Sequence, residues 1–143
     1  MKKVIVFGTF DLFHPGHQDF LWQAWSLGDH LTVVIARDVN AQFPKKTHLI
    51  ENEVKRLQNI QAWLQKNNIF GEVWLGNPDF AKRYLILKKV IPTLICFGYD
   101  QKIDWAGLQT ALKKYKLNEV GLYRLKAYHP EIYKSTKLRQ LKN

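Results

Sequence analysis

His14 and His17 stand three positions apart, bracket Pro15-Gly16, and follow directly on Gly8-Thr9-Phe10-Asp11. On the opening turn of a helix, that spacing stacks two imidazoles on one side, where both can address the same ligand. A proline just inside a helix start suits such a turn, and the unpaired N–H groups there form a partly positive site for phosphate. Gly8 adds a place where backbone can come close to a bound molecule. The chemistry this group suits is the holding of a polyphosphate.

Such a loop needs a strand before it and a helix after it. Val4 to Gly8 is an apolar, β-branched run stopped by glycine, and Gln18 to Leu27 carries Phe20, Leu21, Ala24, Trp25 and Leu27 at helical spacing up to Gly28. That stripe places the tryptophans of this helix in packing rather than in a stacking platform for bases. Leu31 to Ala36 reads as a strand buried on both faces, so Arg37 and Asp38 fall at its carboxyl end, where ligands gather in open α/β sheets. A loop from Val39 to His48 carries Lys45 and Lys46, which by themselves read as solvated surface lysines.

Further on, Glu51 to Asn67 is a helix with Val54, Leu57, Ile60, Gln61 and Leu64 on one stripe, and Arg56 reads there as a surface residue. Glu72 to Gly76 is a third strand, Phe80 to Val90 a helix closed by Pro92, and Thr93 to Phe97 a fourth strand. This last one ends at Gly98-Tyr99-Asp100-Gln101, a second strand-end glycine followed by groups suited to ribose hydroxyls or a base edge. Ile103 to Tyr115 is a helix and Val120 to Leu125 a fifth strand. A basic, hydroxyl-rich tail follows, in which Ser135 can cap a last helix or meet phosphate.

Strands and helices thus alternate with short connections, which predicts a five-stranded, doubly wound parallel sheet with helices on both faces. The 143 residues suffice for one domain over 1–143 with its own core. No apolar run approaches the roughly 18 residues that cross a bilayer, and Met1-Lys2-Lys3 leads into a strand without a leader pattern, so a cytoplasmic protein is expected. The single cysteine, Cys96, excludes an intrachain disulfide and reads as strand filler. A net charge of +10 favours anionic partners without choosing among nucleotides, phosphorylated metabolites and nucleic acid.

The string Gly8 to His17 resembles the signature of the cytidylyltransferase-like nucleotidyltransferases, marked by a GTFD and an HxGH segment. Gly98 to Gln101 resembles that family's GYDQ-type segment, and Ser135, Thr136, Leu138 and Arg139 partly match its third mark, with Lys134 and Tyr133 departing from it. The resemblance implies a Rossmann-like fold and transfer of a nucleoside monophosphate from an NTP to a phosphomonoester, with release of pyrophosphate. It implies that His14, His17 and Lys46 act on the phosphates. Gly8, Thr9, Phe10, Asp11, Gly16, Gly98, Asp100, Gln101, Ser135, Thr136 and Arg139 would line the nucleotide site. Magnesium would accompany the NTP, with Asp11 either orienting the loop or contacting the ion through water. Arg56 would support the triphosphate or a homodimer contact.

The signature is silent about the acceptor. Ala36-Arg37-Asp38 and Gly98 to Gln101 look more like the stand-alone FAD synthases of this family, which join FMN to ATP, than like its glycerol-3-phosphate cytidylyltransferases, which use CTP. A basic nucleic-acid-binding or nucleotide-binding module without catalysis is the reading of another class. Dispersed basic residues and the lack of a nucleic-acid motif disfavour it. No membrane partner is expected.

Overall fold

The computed structural model describes residues 1–41 and 49–128. Five strands, β1 (Lys3–Gly8), β2 (His30–Ile35), β3 (Gly71–Leu75), β4 (Leu94–Phe97) and β5 (Gly121–Arg124), form one sheet in the order β3-β2-β1-β4-β5. Every pairing is parallel; β1 runs against β2 from Lys3↔His30 to Gly8↔Ile35 and against β4 from Val4↔Leu94 to Val6↔Cys96. The connections are made by α1 (Pro15–Trp25), the short α2 (Asp38–Ala41), α3 (Glu53–Lys66), α4 (Ile86–Val90) and α5 (Trp105–Lys114). This is the α/β, Rossmann-like doubly wound sheet that the alternation predicts.

Side-chain alternation sends successive residues of each strand into opposite layers. Val4, Val6, Leu31, Val33, Ile35 and Cys96 meet Leu21 and Ala24 of α1 and Ile60, Trp63 and Leu64 of α3. Ile5, Val34, Ile95 and Phe97 meet Leu87 and Val90 of α4 and Leu108 and Leu112 of α5. Near-continuous apolar strands are the consequence of two covered faces. Strand order reverses between β1 and β4, whose connections leave to opposite sides, so a crevice opens beyond Gly8 and Gly98.

Several boundaries differ from expectation. Helix α1 begins at Pro15, not Gln18, because the His14 side chain caps it. Helix α3 starts at Glu53, behind the Asn52 cap, whose side chain accepts from Lys55 N at 2.8 Å. Its buried stripe is Arg56, Ile60, Trp63 and Leu64, while Val54 lies exposed. The loop expected from Val39 opens instead with α2. The helix predicted over Phe80 to Val90 is broken into a 3₁₀ turn at Phe80–Lys82 and the short α4, since Asp79 caps the turn and only Leu87 and Val90 reach the core.

Trp22 and Trp63 pack edge to face at 5.2 Å between α1 and α3, the packing role expected of this helix's tryptophans. Cys96 is fully buried within β4, and burial pushes its thiol up to about 12. A thiol so placed carries almost no thiolate near neutral pH. In the native protein Cys96 should therefore resist a chromogenic disulfide reagent at pH 8 for hours, and react with one equivalent within minutes in denaturant. Rapid native labelling would contradict its place in the core.

Candidate active site

The signature loop is built by two reciprocal locks. The Asp11 carboxylate, 1% exposed, accepts the backbone N–H groups of Ile50 at 3.0 Å and Glu51 at 2.9 Å. In return the Glu51 carboxylate accepts Leu12 N at 2.9 Å, so the loop after β1 and the segment before α3 hold each other. On either side of Asp11, Phe10 and Leu12 sit in the left-handed region, at φ 56° and 55°. Such backbone costs about 1 kcal/mol or more per non-glycine residue and persists only where its surroundings enforce it. The carboxylate–amide locks supply that enforcement.

Beneath the loop lies Arg56, with no exposed surface. Its Nη1 donates to Thr9 O at 2.8 Å, its Nη2 to Ala36 O at 2.8 Å and to Asp38 Oδ1 at 2.7 Å, and its Nε to Glu51 O at 3.2 Å. The guanidinium thus ties the chain leaving β1, the chain leaving β2 and the entry to α3. Arg56 is neither a surface residue nor turned toward solvent, as a triphosphate or dimer contact requires. Arg37 and Asp38 are likewise braces: Arg37 reaches Gly76 O at 2.8 Å and Glu53 at 3.1 Å, and Asp38 pairs with Arg56.

At the amino end of α1, His14 Nδ1 accepts Gly16 N at 3.1 Å and His17 N at 3.4 Å, while His17 Nδ1 accepts His14 N at 3.3 Å. This is a capping box made of two histidines. With each Nδ1 facing a backbone N–H, the ring proton sits on Nε2, and both imidazoles present a donor. The rings stack at 3.7 Å between centroids, and Phe10 and Phe13 flank His17 at 5.4 and 6.1 Å. Desolvation by burial lowers His14 to about 4, so it is neutral across the physiological range. Two imidazole N–H donors and a helix amino end form a cradle that gains most when charge builds up on a phosphate.

The glycines divide in role. A Cβ on Gly8 would lie 2.6 Å from the Phe10 ring, so the close neighbour expected to be a ligand is the protein's own aromatic side chain. At Gly98 a Cβ would make only ordinary contacts, from 3.7 Å, with Phe20 and Gln101. Gln101 bridges the crevice: its Oε1 accepts Gly98 N at 3.0 Å and its Nε2 donates to Phe7 O at 3.3 Å. Both ends of that amide thus bond backbone, and Asp100 is exposed on the turn. Gly16 donates inside the histidine cap, and Thr9 contributes its carbonyl to Arg56.

Sequence reasoning missed Arg124, whose Nη1 donates to Gly98 O at 2.7 Å and Gln101 O at 2.9 Å, cupping the turn after β4. A charged residue at the end of the apolar fifth strand was the available signal. It also missed Glu51 as the partner of the loop. Lys45, Lys46, Ser135, Thr136 and Arg139 lie outside the described residues. Among the described residues, no cluster of three or more His, Cys, Asp or Glu could hold a metal ion. The buried Asp11, with both oxygens on backbone amides, fits the orienting role and not contact with a hydrated ion. Among them too, no helix is long and apolar enough to cross a membrane.

The sequence pattern of the family described as cytidylyltransferase-like matches residues 5–141. The FAD synthase of Methanobrevibacter smithii is 40% identical over 134 residues, which cover 90% of this chain and 82% of that one. The FAD synthase of Archaeoglobus profundus is 36% identical over 139 residues, covering 96% and 84%. Among solved structures, one described as a lipopolysaccharide core biosynthesis protein from Thermoplasma volcanium superposes with a TM-score of 0.72 at 34% identity, covering 90% of this chain and 98% of that one. Pantothenate synthetase from Thermus thermophilus, at 14% identity and TM-score 0.56 over 87% of this chain and 55% of its own, shares the fold alone.

Two measurements check this architecture. Because His14 titrates at about 4 in the folded chain and near 6.5 unfolded, the unfolded state binds the extra proton between those values. Stability is then fully present above pH 6.5 and falls by up to about 3 kcal/mol as pH drops through 4. Denaturant titrations across that window should show the slope, and His14→Asn, which keeps a cap acceptor, should flatten it. Arg56→Met, which strands three carbonyls, should cost about 3–5 kcal/mol by the same titration. Arg56→Lys should recover little, since one ammonium cannot span the three segments.

Proposed function

The chain belongs to the cytidylyltransferase-like family and is a nucleotidyltransferase, and within that family we propose that it transfers AMP from ATP to FMN, forming FAD and pyrophosphate. A phosphate oxygen of FMN attacks the α-phosphorus of ATP. The new P–O bond forms opposite the bond to the bridging oxygen, which breaks and carries its electron pair away with pyrophosphate. Positioning and stabilisation of the moving charge supply the rate, since no covalent intermediate is needed.

The observation that carries this reading is the interlocked histidine pair at the amino end of α1, beside the crevice between β1 and β4. Held by each other's backbone, His14 and His17 donate through Nε2 without having to reorganise as charge shifts toward the leaving group. The likeness to FAD synthases along most of the chain supports FMN as the acceptor. Magnesium enters with ATP as part of the substrate, no described residue being assigned to hold it. Lys46 would neutralise the phosphates, with Ser135, Thr136 and Arg139 at the pyrophosphate end and Asp100 near the ribose. A homodimer belongs to the same proposal.

Pyrophosphate release from the purified protein, with ATP or CTP and either FMN or glycerol 3-phosphate, tests it. FAD should form from ATP and FMN, and His17→Ala should slow turnover about 100-fold or more, as loss of an oxyanion donor does. Turnover with CTP in preference to ATP would reject the FMN assignment. Absence of pyrophosphate with every acceptor, and no change in His17→Ala, would reject the enzymatic reading of this site.

A further inference from the structure

The broken helix after β3 leaves a large ring outside the core. Its 3₁₀ turn turns Phe80 outward, 47% exposed, where a continuous helix would follow the sequence pattern. The turn is firmly held: Arg37 grips Gly76 O at 2.8 Å, Asn40 donates to Asn77 O at 2.9 Å and Pro78 O at 3.2 Å, and Asp79 caps Ala81 N at 3.0 Å. A large apolar ring is thus presented to solvent by a braced support.

Arg83 lies over the Phe80 ring at 4.2 Å and the Tyr84 ring at 4.7 Å, and its Nη2 meets Asp104 at 2.6 Å. Asp104 caps α5, and the next residue, Trp105, is 45% exposed and packs edge-on to Phe97, the last residue of β4, at 5.7 Å. Tyr84 in turn meets Phe7, which precedes Gly8 in β1, at 6.4 Å. Two exposed rings therefore flank one ion pair, on the α4/α5 side of the crevice whose α1 side carries the histidines. Arg83 is already paired with Asp104, donates to Phe80 O at 2.9 Å, and is stacked on two rings. The ledge suits an uncharged flat surface rather than a phosphate.

We infer that the ledge of Phe80, Arg83, Tyr84 and Trp105 is the stacking surface for the isoalloxazine ring of the acceptor. The inference rests on FMN being the acceptor and assigns the residues that select it. A tricyclic neutral ring offers more flat area than an adenine to a surface that carries two exposed aromatic side chains beside one ion pair. With the ring on the ledge, the flavin's phosphate is left toward the crevice, where the nucleotide's phosphates meet the amino end of α1.

The test is FMN affinity, read by quenching of flavin fluorescence, alongside the Michaelis constants for FMN and ATP. Phe80→Ala and Trp105→Leu each remove an exposed ring and should leave thermal stability close to that of the wild type. Each should weaken FMN binding and raise its KM about tenfold, the scale of one lost stacking partner, with the KM of ATP within about twofold. Riboflavin, which lacks the phosphate, should lose affinity in the same proportion. FAD formation with unchanged FMN affinity in both variants would overturn the ledge while leaving the FMN reading intact. A raised KM for ATP alone would assign the ledge to adenine and overturn it too. No flavin binding and no FAD from the wild type would remove the FMN reading itself, and the ledge with it.

Discussion

A buried guanidinium holds the carboxyl edge of this sheet together. Arg56 takes the carbonyls of Thr9 and Ala36, just beyond β1 and β2, and that of Glu51 ahead of α3, and pairs with Asp38. Carbonyls at strand ends have no ladder partner, and burial without one is costly. One planar group with five donors meets that need for three segments at once, which a lysine cannot do. The loop that carries the chemistry starts from one of those three segments.

Upon that base, the loop's own strain is held by charge rather than by glycine. Left-handed Phe10 and Leu12 are tolerated because the Asp11 carboxylate accepts the Ile50 and Glu51 amides and the Glu51 carboxylate accepts the Leu12 amide in return. The result places Phe10 under His17 and leaves no space for a side chain at Gly8. The same economy governs the histidines, which cap the helix they open and acquire a defined tautomer by doing so. Their orientation comes from backbone amides, and the neutrality of His14 from burial; both exist before any substrate arrives.

Much of the fold was legible in the sequence because its signals are local or periodic. Five apolar strand runs, glycine and proline punctuation and the helical stripes of α1, α3 and α5 each report on a few neighbouring residues. The break at Phe80 was not legible, because no glycine or proline interrupts Phe80 to Val90 and only packing could reject a continuous helix there. Arg56 was misread for a related reason. A lone arginine on a helix is usually solvated, and only the convergence of two strand ends on that position turns it inward.

By itself the sequence determined the type of chemistry, since the His14-Pro15-Gly16-His17 spacing and the preceding Gly8 to Asp11 segment are contiguous and need no distant residue to be read. It also determined the doubly wound plan, because alternating buried strands and helices leave few ways to cover both faces of a parallel sheet. Tertiary structure alone decided which polar residues serve the scaffold. Gln101, Arg37, Asp38 and Asp11 stand at strand ends where ligands gather, yet each is bonded to backbone or to a buried partner from across the sheet. Those cross-sheet partners lie far off in the chain, 18 positions for Asp38 and Arg56 and 94 for Gln101 and Phe7. Hydrogen-bond demand at such separations leaves no trace in local pattern.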